Sequence, residues 1–269
     1  MPINIKISKK IKFLIKEDKM QHVGNVTKAL EDLRENKNLY FLIKNRFDWM
    51  NNFIEQNKPG IEVGAAAGFS KIFTKNKSIL ITDFCNDPHL DIKNLDAQET
   101  NLKSESFDYI IAANMIHHIP YPIKFFYEMH RILKKNGKLI IFEPNSSLLF
   151  QIIVMITKHE GYDFTIDPWS LEKPIIEENH LWAGNMAASN LIFDNKILFN
   201  KKLGDKFFMI HHKYDECLTF INSGGVYSKT GYVPLSNFIL KLIRMIDSFL
   251  CFTMPSIFAL GRQIVLKKK

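Results

Sequence analysis

The sequence predicts an α/β fold built on a doubly wound, mostly parallel sheet. Between residues 59 and 145, short apolar runs alternate with stretches that carry apolar side chains at helical spacing. The runs at 60–63, 109–113 and 138–143 are almost continuously apolar, which is typical of strands buried on both faces of a parallel sheet. Strands and helices that alternate in this way favour an open, doubly wound arrangement.

We expect one domain, residues 1–269, with three parts. Residues 1–58 predict a helical N-terminal cap, in which Asn25 begins one helix and Leu39–Phe53 forms another. The central part, 59–145, contains the predicted strands Gly60–Val63, Ser78–Asp83, Tyr109–Ala113 and Lys138–Glu143 and the helices Phe69–Lys75 and Ile123–Lys135. Residues 146–269 form an elaborated C-terminal half, with helices Leu148–Ile156 and Leu235–Leu250 and strands Lys206–His212 and Ala259–Lys267.

The net charge of +8 is concentrated at the two ends of the chain. Residues 1–20 carry six lysines against two acids, and residues 262–269 carry four basic residues and no acid. The body between them is neutral, whereas a nucleic-acid-binding protein normally has a basic face on its folded part. We therefore expect no nucleic-acid partner, while attraction of the tails to an anionic membrane surface stays open.

Three features predict a cytoplasmic protein, with peripheral contact at the inner membrane face left open. The lysines of residues 1–20 interrupt the apolar region that a secretory signal needs. The longest apolar stretch near the C-terminus, Ser248–Gly261, is too short to span a bilayer. The three cysteines lie far apart and form no CxxC pair, which fits a reducing compartment.

A turn rich in small residues follows the first predicted strand of the central part. The strand Gly60–Val63 continues into Gly64-Ala65-Ala66-Ala67-Gly68, and a helix follows. Small residues let a ligand approach the backbone, and the start of the helix offers free N–H groups. Glu62 lies near the end of this strand and Asp83 at the end of the next, 19 residues beyond Gly64. An acid at that distance suits the two ribose hydroxyls of a nucleoside.

This pattern is compatible with two nucleoside cofactors, a nicotinamide dinucleotide and a sulfonium donor. The turn is not the GxGxxG of dinucleotide sites. Glu62 disfavours a pyrophosphate and suits an ammonium or sulfonium group. The later segments also form an ordered series: Leu95-Asp96-Ala97, Ser106-Phe107-Asp108-Tyr109-Ile110-Ile111, Asn114-Met115-Ile116-His117-His118-Ile119 and Arg131-Ile132-Leu133-Lys134-Lys135-Asn136-Gly137-Lys138-Leu139.

This series resembles the class I S-adenosylmethionine-dependent methyltransferases, in the broad group that includes quinone-biosynthesis and small-molecule enzymes. The resemblance covers about residues 59–145 and rests on the order of the motifs. It implies a Rossmann-like, seven-stranded sheet with an antiparallel last strand, for which Ala259–Lys267 is suited. It also implies that residues 59–145 are the cofactor-binding core and residues 146–269 the substrate side.

The resemblance assigns S-adenosylmethionine as cofactor and gives each site residue a role. These expectations are Glu62, Gly64 and Gly68 at the methionine end, Asp83 at the ribose, Asp96 and Ala97 beside the adenine, and Asn114 beside the methionine moiety. The usual middle glycine of the turn is replaced by Ala66, and we expect that position to require only a small side chain rather than a positive φ.

Methyl transfer to a hydroxyl acceptor gains from a nearby base, and three residues are predicted for catalysis: His118, Glu143 and His159. His118 follows the strand 109–113, and Glu143 ends the strand 138–143, where it either binds a polar acceptor or caps a helix. No HExxH or carboxylate facial pattern is present, so no metal site is expected.

The predicted acceptor is a small or carrier-linked molecule methylated on oxygen. Acidic and aromatic residues between His159 and Asn190 suggest a glycan intermediate, with a packed surface loop as the alternative. The apolar segment Phe238–Phe258 is read as core packing, or else as a site for a lipid-linked acceptor or a membrane. A quinone- or lipid-type C-methyltransferase, a non-catalytic interaction protein on the same fold, and a nicotinamide oxidoreductase are the alternatives.

Overall fold

The structure is a computed structural model that describes residues 5–12, 26–158, 160–177, 183–226 and 230–269. Two residues with predicted roles, Asn25 at a helix start and His159 in catalysis, lie outside the described residues.

The described chain contains eight strands and ten α-helices. The strands are β1 Lys10–Ile11, β2 Gly60–Val63, β3 Leu80–Thr82, β4 Phe107–Ala113, β5 Leu133–Pro144, β6 Tyr162–Asp163, β7 Phe207–Asp215 and β8 Gly261–Lys268. The helices are α1 Val26–Glu35, α2 Lys37–Met50, α3 Phe69–Phe73, α4 Pro122–Ile132, α5 Leu148–Thr157, α6 Ala188–Phe193, α7 Lys196–Leu203, α8 Leu218–Ile221, α9 Asn237–Thr253 and α10 Pro255–Phe258. A short 3₁₀ turn, Ile116–His118, follows β4.

Six of the strands form one sheet in the order β3-β2-β4-β5-β8-β7. The pairs β2–β3, β2–β4 and β4–β5 are parallel, and β8 runs antiparallel to both β5 and β7. The predicted mostly parallel α/β sheet with an antiparallel last strand is confirmed. The sheet has six strands where seven were expected, and an isolated parallel bridge between Thr82 and Ile92 continues it beyond β3.

Both faces of the sheet are covered, as the continuous apolar runs require. Successive residues of β4 and β5 enter two different hydrophobic clusters: Ile110 and Ile141 pack in one, Ile111 and Ile140 in the other. Helix α4 buries Phe125, Phe126 and Met129 against the first cluster, and α2 buries Leu39, Ile43 and Phe47 against the second. Successive side chains of a strand point to opposite faces of the sheet. Because both faces are covered here, these strands need apolar residues at every position and have no polar face.

Helix α4 is shorter than predicted. It ends at Ile132, not at Lys135, because Leu133 already pairs with Phe107 of β4. Asn136, expected to end the helix, instead lies inside β5 with a φ of 63°. Asn tolerates this left-handed conformation better than most residues, so the Asn-Gly pair belongs to an irregular strand start.

Helix α9 does not form the core that its apolar sequence favoured. Its buried positions are Leu240, Asp247 and Cys251, while most of its large apolar side chains are exposed. The buried face carries the charge: Asp247 accepts N–H bonds from Leu218 and Thr219 at the start of α8 at 2.8 and 3.0 Å. A buried polar group with several partners thus directs the apolar residues outward.

Among the described residues, no helix is both long and apolar enough to cross a membrane.

Candidate active site

The turn after β2 brings the backbone into the left-handed region three times. Gly64, Ala66 and Gly68 have φ values of 68°, 46° and 70°. A Cβ added at Gly64 would lie 2.8 Å from Cβ of Met115, and one at Gly68 would lie 2.9 Å from Cδ1 of Ile81. Both glycines are therefore required by conformation and by space, as the sequence pattern indicated.

The expectation for Ala66 was wrong, because this residue does adopt a positive φ. The left-handed conformation costs an alanine roughly 1–2 kcal/mol. Neighbouring contacts offset this strain: the Ala66 N–H donates to Oδ2 of Asp83 at 2.9 Å, and Nε2 of His89 donates to the Ala66 carbonyl at 2.7 Å. The turn is thus fixed by side chains that come from beyond β3.

Glu62 is a buried carboxylic acid directly below the turn. Its side chain is 3% exposed, and its Oε2 accepts a hydrogen bond from the Ser70 hydroxyl in α3. Burial raises the pKa of Glu62 to about 8; the Ser70 bond acts against this rise, and the charge of Asp83 adds to it. Burial therefore favours the protonated form of Glu62.

Asp83 reaches the same edge of the sheet from the neighbouring strand. Val63 pairs with Thr82, and the Ala65 N–H donates to the Thr82 carbonyl at 2.9 Å, so the turn lies beside Asp83. The Asp83 side chain is half-buried. The two predicted acids therefore lie on one side of the molecule, close enough for Asp83 to influence the pKa of Glu62.

Residues 95–97 lie next to Asp83. The Leu95 N–H donates to the Asp83 carbonyl at 2.9 Å. Asp96 is half-buried and accepts a hydrogen bond from the Gln98 N–H at 2.8 Å. Ala97 is buried in the hydrophobic core.

Asn114 follows β4 at the same edge. It is half-buried, has a φ of 54°, and its N–H donates to the Phe142 carbonyl at 2.7 Å. With Glu62, Asp83 and Asp96, it completes a row of polar residues at the carboxyl ends of β2, β3 and β4. Open α/β sheets bind ligands at this position.

Glu143, at the end of β5, is fully buried and uses both carboxylate oxygens inside the protein. Oε1 accepts the N–H groups of Met115 and Ile116 at 2.7 and 2.8 Å, and Oε2 accepts Nδ1–H of His117 at 2.8 Å. The two predicted roles of Glu143 were binding a polar acceptor and capping a helix. The observed contacts are those of a cap, but the capped element is the turn after β4. Glu143 therefore positions the residues next to the site.

His118 and His117 stand side by side, with ring centroids 4.1 Å apart. Nδ1 of His118 donates to the Ala183 carbonyl at 3.0 Å. Burial and the neighbouring His117 lower the pKa of His118, despite the opposite effect of Glu160. For His117 burial also acts to lower the pKa, but Glu143 and Glu160 outweigh it and the pKa is raised.

Glu160 is the site residue to which the sequence assigned no role. Its carboxylate lies 3.6 Å from Nε2 of His117 and 3.8 Å from Nε2 of His118. No spacing pattern connects residues 117–118 with residue 160, so only the fold reveals the cluster. The one local signal is the neighbouring glycine, Gly161. A Cβ added there would lie 2.2 Å from the Ile11 carbonyl, so the backbone next to Glu160 is closely packed.

A comparison with protein families finds one match. Residues 73–141 match the family model described as a methyltransferase domain. This match confirms the predicted resemblance to methyltransferases.

Solved methyltransferases resemble this chain at low identity. A SAM-dependent methyltransferase from Archaeoglobus fulgidus is 15% identical, with a TM-score of 0.49 over 85% of this chain and 93% of the other. Phosphoethanolamine N-methyltransferase 2 from Haemonchus contortus, crystallised with S-adenosyl-L-methionine, is 14% identical, with a TM-score of 0.45 over 83% of this chain and 52% of the other. A search of curated proteins finds no match. No conclusion about the acceptor rests on these similarities.

Proposed function

We propose that this methyltransferase transfers the methyl group of S-adenosylmethionine to an oxygen atom of a small or carrier-linked acceptor. The observation that carries the proposal is the pairing of Glu62 and Asp83 at adjacent strand ends, beside a turn in which Ala66 is exposed. The cofactor supplies an already activated methyl group, so the protein mainly has to align the acceptor and exclude water.

The residues at the edge fit the cofactor. Asp83 suits the ribose hydroxyls, and Glu62 suits the ammonium group of the methionine end, next to Gly64 and Gly68. Asp96 and the backbone of Ala97 suit the adenine, because Leu95 connects them to Asp83. Asn114 completes the methionine side. Each of these assignments is a proposal supported by position and charge.

Cofactor binding is expected to release a proton from Glu62. Its ordinary pKa is 4.5 and burial raises this to about 8, so below pH 8 the cation must displace a proton. The affinity for S-adenosylhomocysteine should therefore rise with pH, by up to about tenfold per unit, and level off above the raised pKa. Calorimetry between about pH 6.5 and 9, in buffers of different ionisation enthalpy, measures this directly.

Glu62→Gln is the matched control for this pH dependence. The variant cannot ionise at that position and should bind more weakly, with an affinity that changes little over the same range. A wild-type affinity that does not vary with pH would contradict the contact between Glu62 and the ammonium group.

His118 is proposed as the group nearest the acceptor. Its lowered pKa keeps the ring neutral at neutral pH, and the bond from Nδ1 to Ala183 leaves Nε2 as the unprotonated nitrogen. His118→Ala should lower kcat by about 10²- to 10⁴-fold, the usual contribution of a general base, with nearly unchanged cofactor affinity. His130→Ala, a half-buried histidine on α4, is the control and should retain activity.

Turnover is measured as S-adenosylhomocysteine release in the presence of lipid-linked sugars, sugar nucleotides and quinone precursors. Activity on an acceptor hydroxyl that is lost in His118→Ala supports the proposal. Activity on quinone precursors alone would replace it with the C-methyltransferase alternative. Absence of any calorimetric signal with the cofactor would favour the non-catalytic interaction protein.

The described part of the insert gives little support to a glycan acceptor. Tyr162, Phe164 and Trp169 are all buried, and Trp169 packs against Phe199. Aromatic rings that bind sugars have to be exposed at the pocket surface. Between the two readings of this segment, these contacts favour the packed loop.

A lipid-linked acceptor has better support, from the outer face of α9. Arg244 and Asp247 point inward and are bound to Asp215 and the start of α8, so they do not interrupt this face. The exposed face consists of large apolar residues with Lys241 among them: Phe238, Ile239, Leu242, Met245, Ile246, Phe249 and Phe252. An apolar face with a cation, on a protein of net charge +8, suits an anionic membrane surface.

Vesicle sedimentation tests this contact. We expect the protein to bind vesicles of phosphatidylglycerol and phosphatidylcholine, and Phe249→Asp combined with Phe252→Asp to lower the bound fraction at least about fivefold. Phe252 is 85% exposed, so folding should survive. Ile197→Asp, an equally exposed apolar position on α7, is the control. Equal binding by all three proteins would contradict the membrane contact.

A further inference from the structure

We propose that His117, His118 and Glu160 form a binding site for one divalent transition-metal ion, with Zn²⁺ as the best-suited chemistry. The sequence predicted no metal site, because the ligands do not follow any ligand-spacing motif. The fold nevertheless brings one ligand atom from each residue to within 4.8 Å of the others.

The distances in the cluster favour an ion between the three groups. Nε2 of His117 is 3.6 Å from Oε2 of Glu160, and Nε2 of His118 is 3.8 Å from Oε1. Both distances are too long for a hydrogen bond. Ligands around a tetrahedral ion at 2.0–2.1 Å stand roughly 3.3 Å apart, so a small inward movement of the side chains completes the coordination.

Both histidines are oriented as metal ligands are. A ligating imidazole usually donates its second ring N–H to a carboxylate or a backbone carbonyl, which fixes its tautomer and direction. Nδ1 of His117 donates to Glu143 at 2.8 Å, and Nδ1 of His118 donates to the Ala183 carbonyl at 3.0 Å. In the neutral form of both rings, which metal binding requires, Nε2 therefore carries the lone pair and lies on the side of Glu160.

The backbone is adapted to place Glu160 in this position. Glu160 has a φ of 51°, an unfavourable conformation for a residue with a long side chain. A Cβ at Gly184 would lie 2.1 Å from Oε2 of Glu160, so the approach of the carboxylate requires a glycine there. The Asn185 N–H donates to the His117 carbonyl at 2.9 Å and ties this segment to the turn after β4.

Three protein ligands leave a fourth position open, as in catalytic rather than structural zinc sites. The His118 side chain is 26% exposed, which gives the open position a route to the surface. This role rests on the proposed function: the ion would bind the acceptor oxygen and lower its pKa. With the ion bound, Nε2 of His118 would act on the acceptor through the ion and not as a base, and the proton of the ion-bound hydroxyl would leave to solvent.

The test measures metal binding on the full chain without the cofactor, so its result is independent of the proposed methyl transfer. Protein produced without a polyhistidine tag is stripped with a chelator, dialysed, and titrated with Co²⁺ and then Zn²⁺. We expect about one ion per chain, the visible absorption of tetrahedral Co²⁺, and displacement of Co²⁺ by Zn²⁺.

Glu160→Gln and His118→Asn should each weaken Co²⁺ binding by at least about 10- to 100-fold. His130→Asn, which changes a histidine outside the cluster, should bind as the wild type does. Thermal unfolding of each variant without metal shows whether weaker binding comes from loss of a ligand or from loss of folding. Because His118 is partly exposed, its substitution should disturb folding less than that of Glu160. The proposal is wrong if the wild-type protein takes up no Co²⁺. It is also wrong if Glu160→Gln and His118→Asn bind Co²⁺ as tightly as His130→Asn does. In either case the three residues form an ion-pair cluster and not a metal site.

Discussion

Arg46→Met is expected to lower the free energy of unfolding by about 3–5 kcal/mol, because it leaves a buried charge without a partner. Arg46 on α2 donates through Nε and Nη2 to the two carboxylate oxygens of Glu216 at 2.6 and 2.7 Å. The side chains are only 8% and 4% exposed, and the guanidinium also lies 4.8 Å above the Phe142 ring. The pair connects the N-terminal helices to the residue that follows β7.

A double-mutant cycle in urea separates the interaction from the cost of the orphaned charge. Combining Arg46→Met with Glu216→Met should recover most of the stability lost in either single variant, since an apolar pair replaces a buried ion pair. Arg131→Met is the control: its bridge to Glu128 is partly exposed, so its effect should be about 1 kcal/mol or less. A loss of about 1 kcal/mol or less in Arg46→Met, as small as that in Arg131→Met, would contradict the predicted cost of leaving the Glu216 charge buried and unpaired.

Asp83→Ala is expected to weaken cofactor binding by about 1.5–3 kcal/mol, the range for a hydrogen bond to a charged group. This corresponds to a roughly 10- to 150-fold higher Kd. The substitution removes the acid proposed to bind the ribose hydroxyls, and also the acceptor that holds the Ala66 N–H at 2.9 Å. Calorimetric titration with S-adenosylhomocysteine gives the Kd directly.

Asp87→Ala is the matched control, since this half-buried acid lies four residues further along the same loop. It should bind the cofactor as the wild type does. Asp83→Asn keeps the contact to Ala66 and removes only the charge, so it should fall between the wild type and Asp83→Ala. An unchanged Kd in Asp83→Ala would mean that the cofactor binds elsewhere.

The central sheet was predictable because each strand carries its own evidence. Apolar runs such as 109–113 send alternate residues into two hydrophobic clusters, which only a sheet covered on both faces allows. The position of Glu62 beside Asp83 was predictable for a related reason. Neighbouring parallel strands end at one edge, so two acids at strand ends have to meet.

Contacts between distant segments were not predictable in this way. Glu160 meets His117 and His118 because residues 183–186 pack on the turn after β4, and no local pattern encodes this packing. Arg46 and Glu216 are 170 positions apart. The direction of α9 was misread for a similar reason, since the buried partners of Asp247 are in α8. Hydropathy alone assigned its apolar residues to the core.

The most direct measurement is a crystal structure of the complex with S-adenosylhomocysteine. We expect the ribose hydroxyls within hydrogen-bond distance of the Asp83 carboxylate, the amino group beside Glu62, and the sulfur facing the side of His118. A nucleoside bound away from this edge, or one whose ribose makes no contact with Asp83, would contradict it.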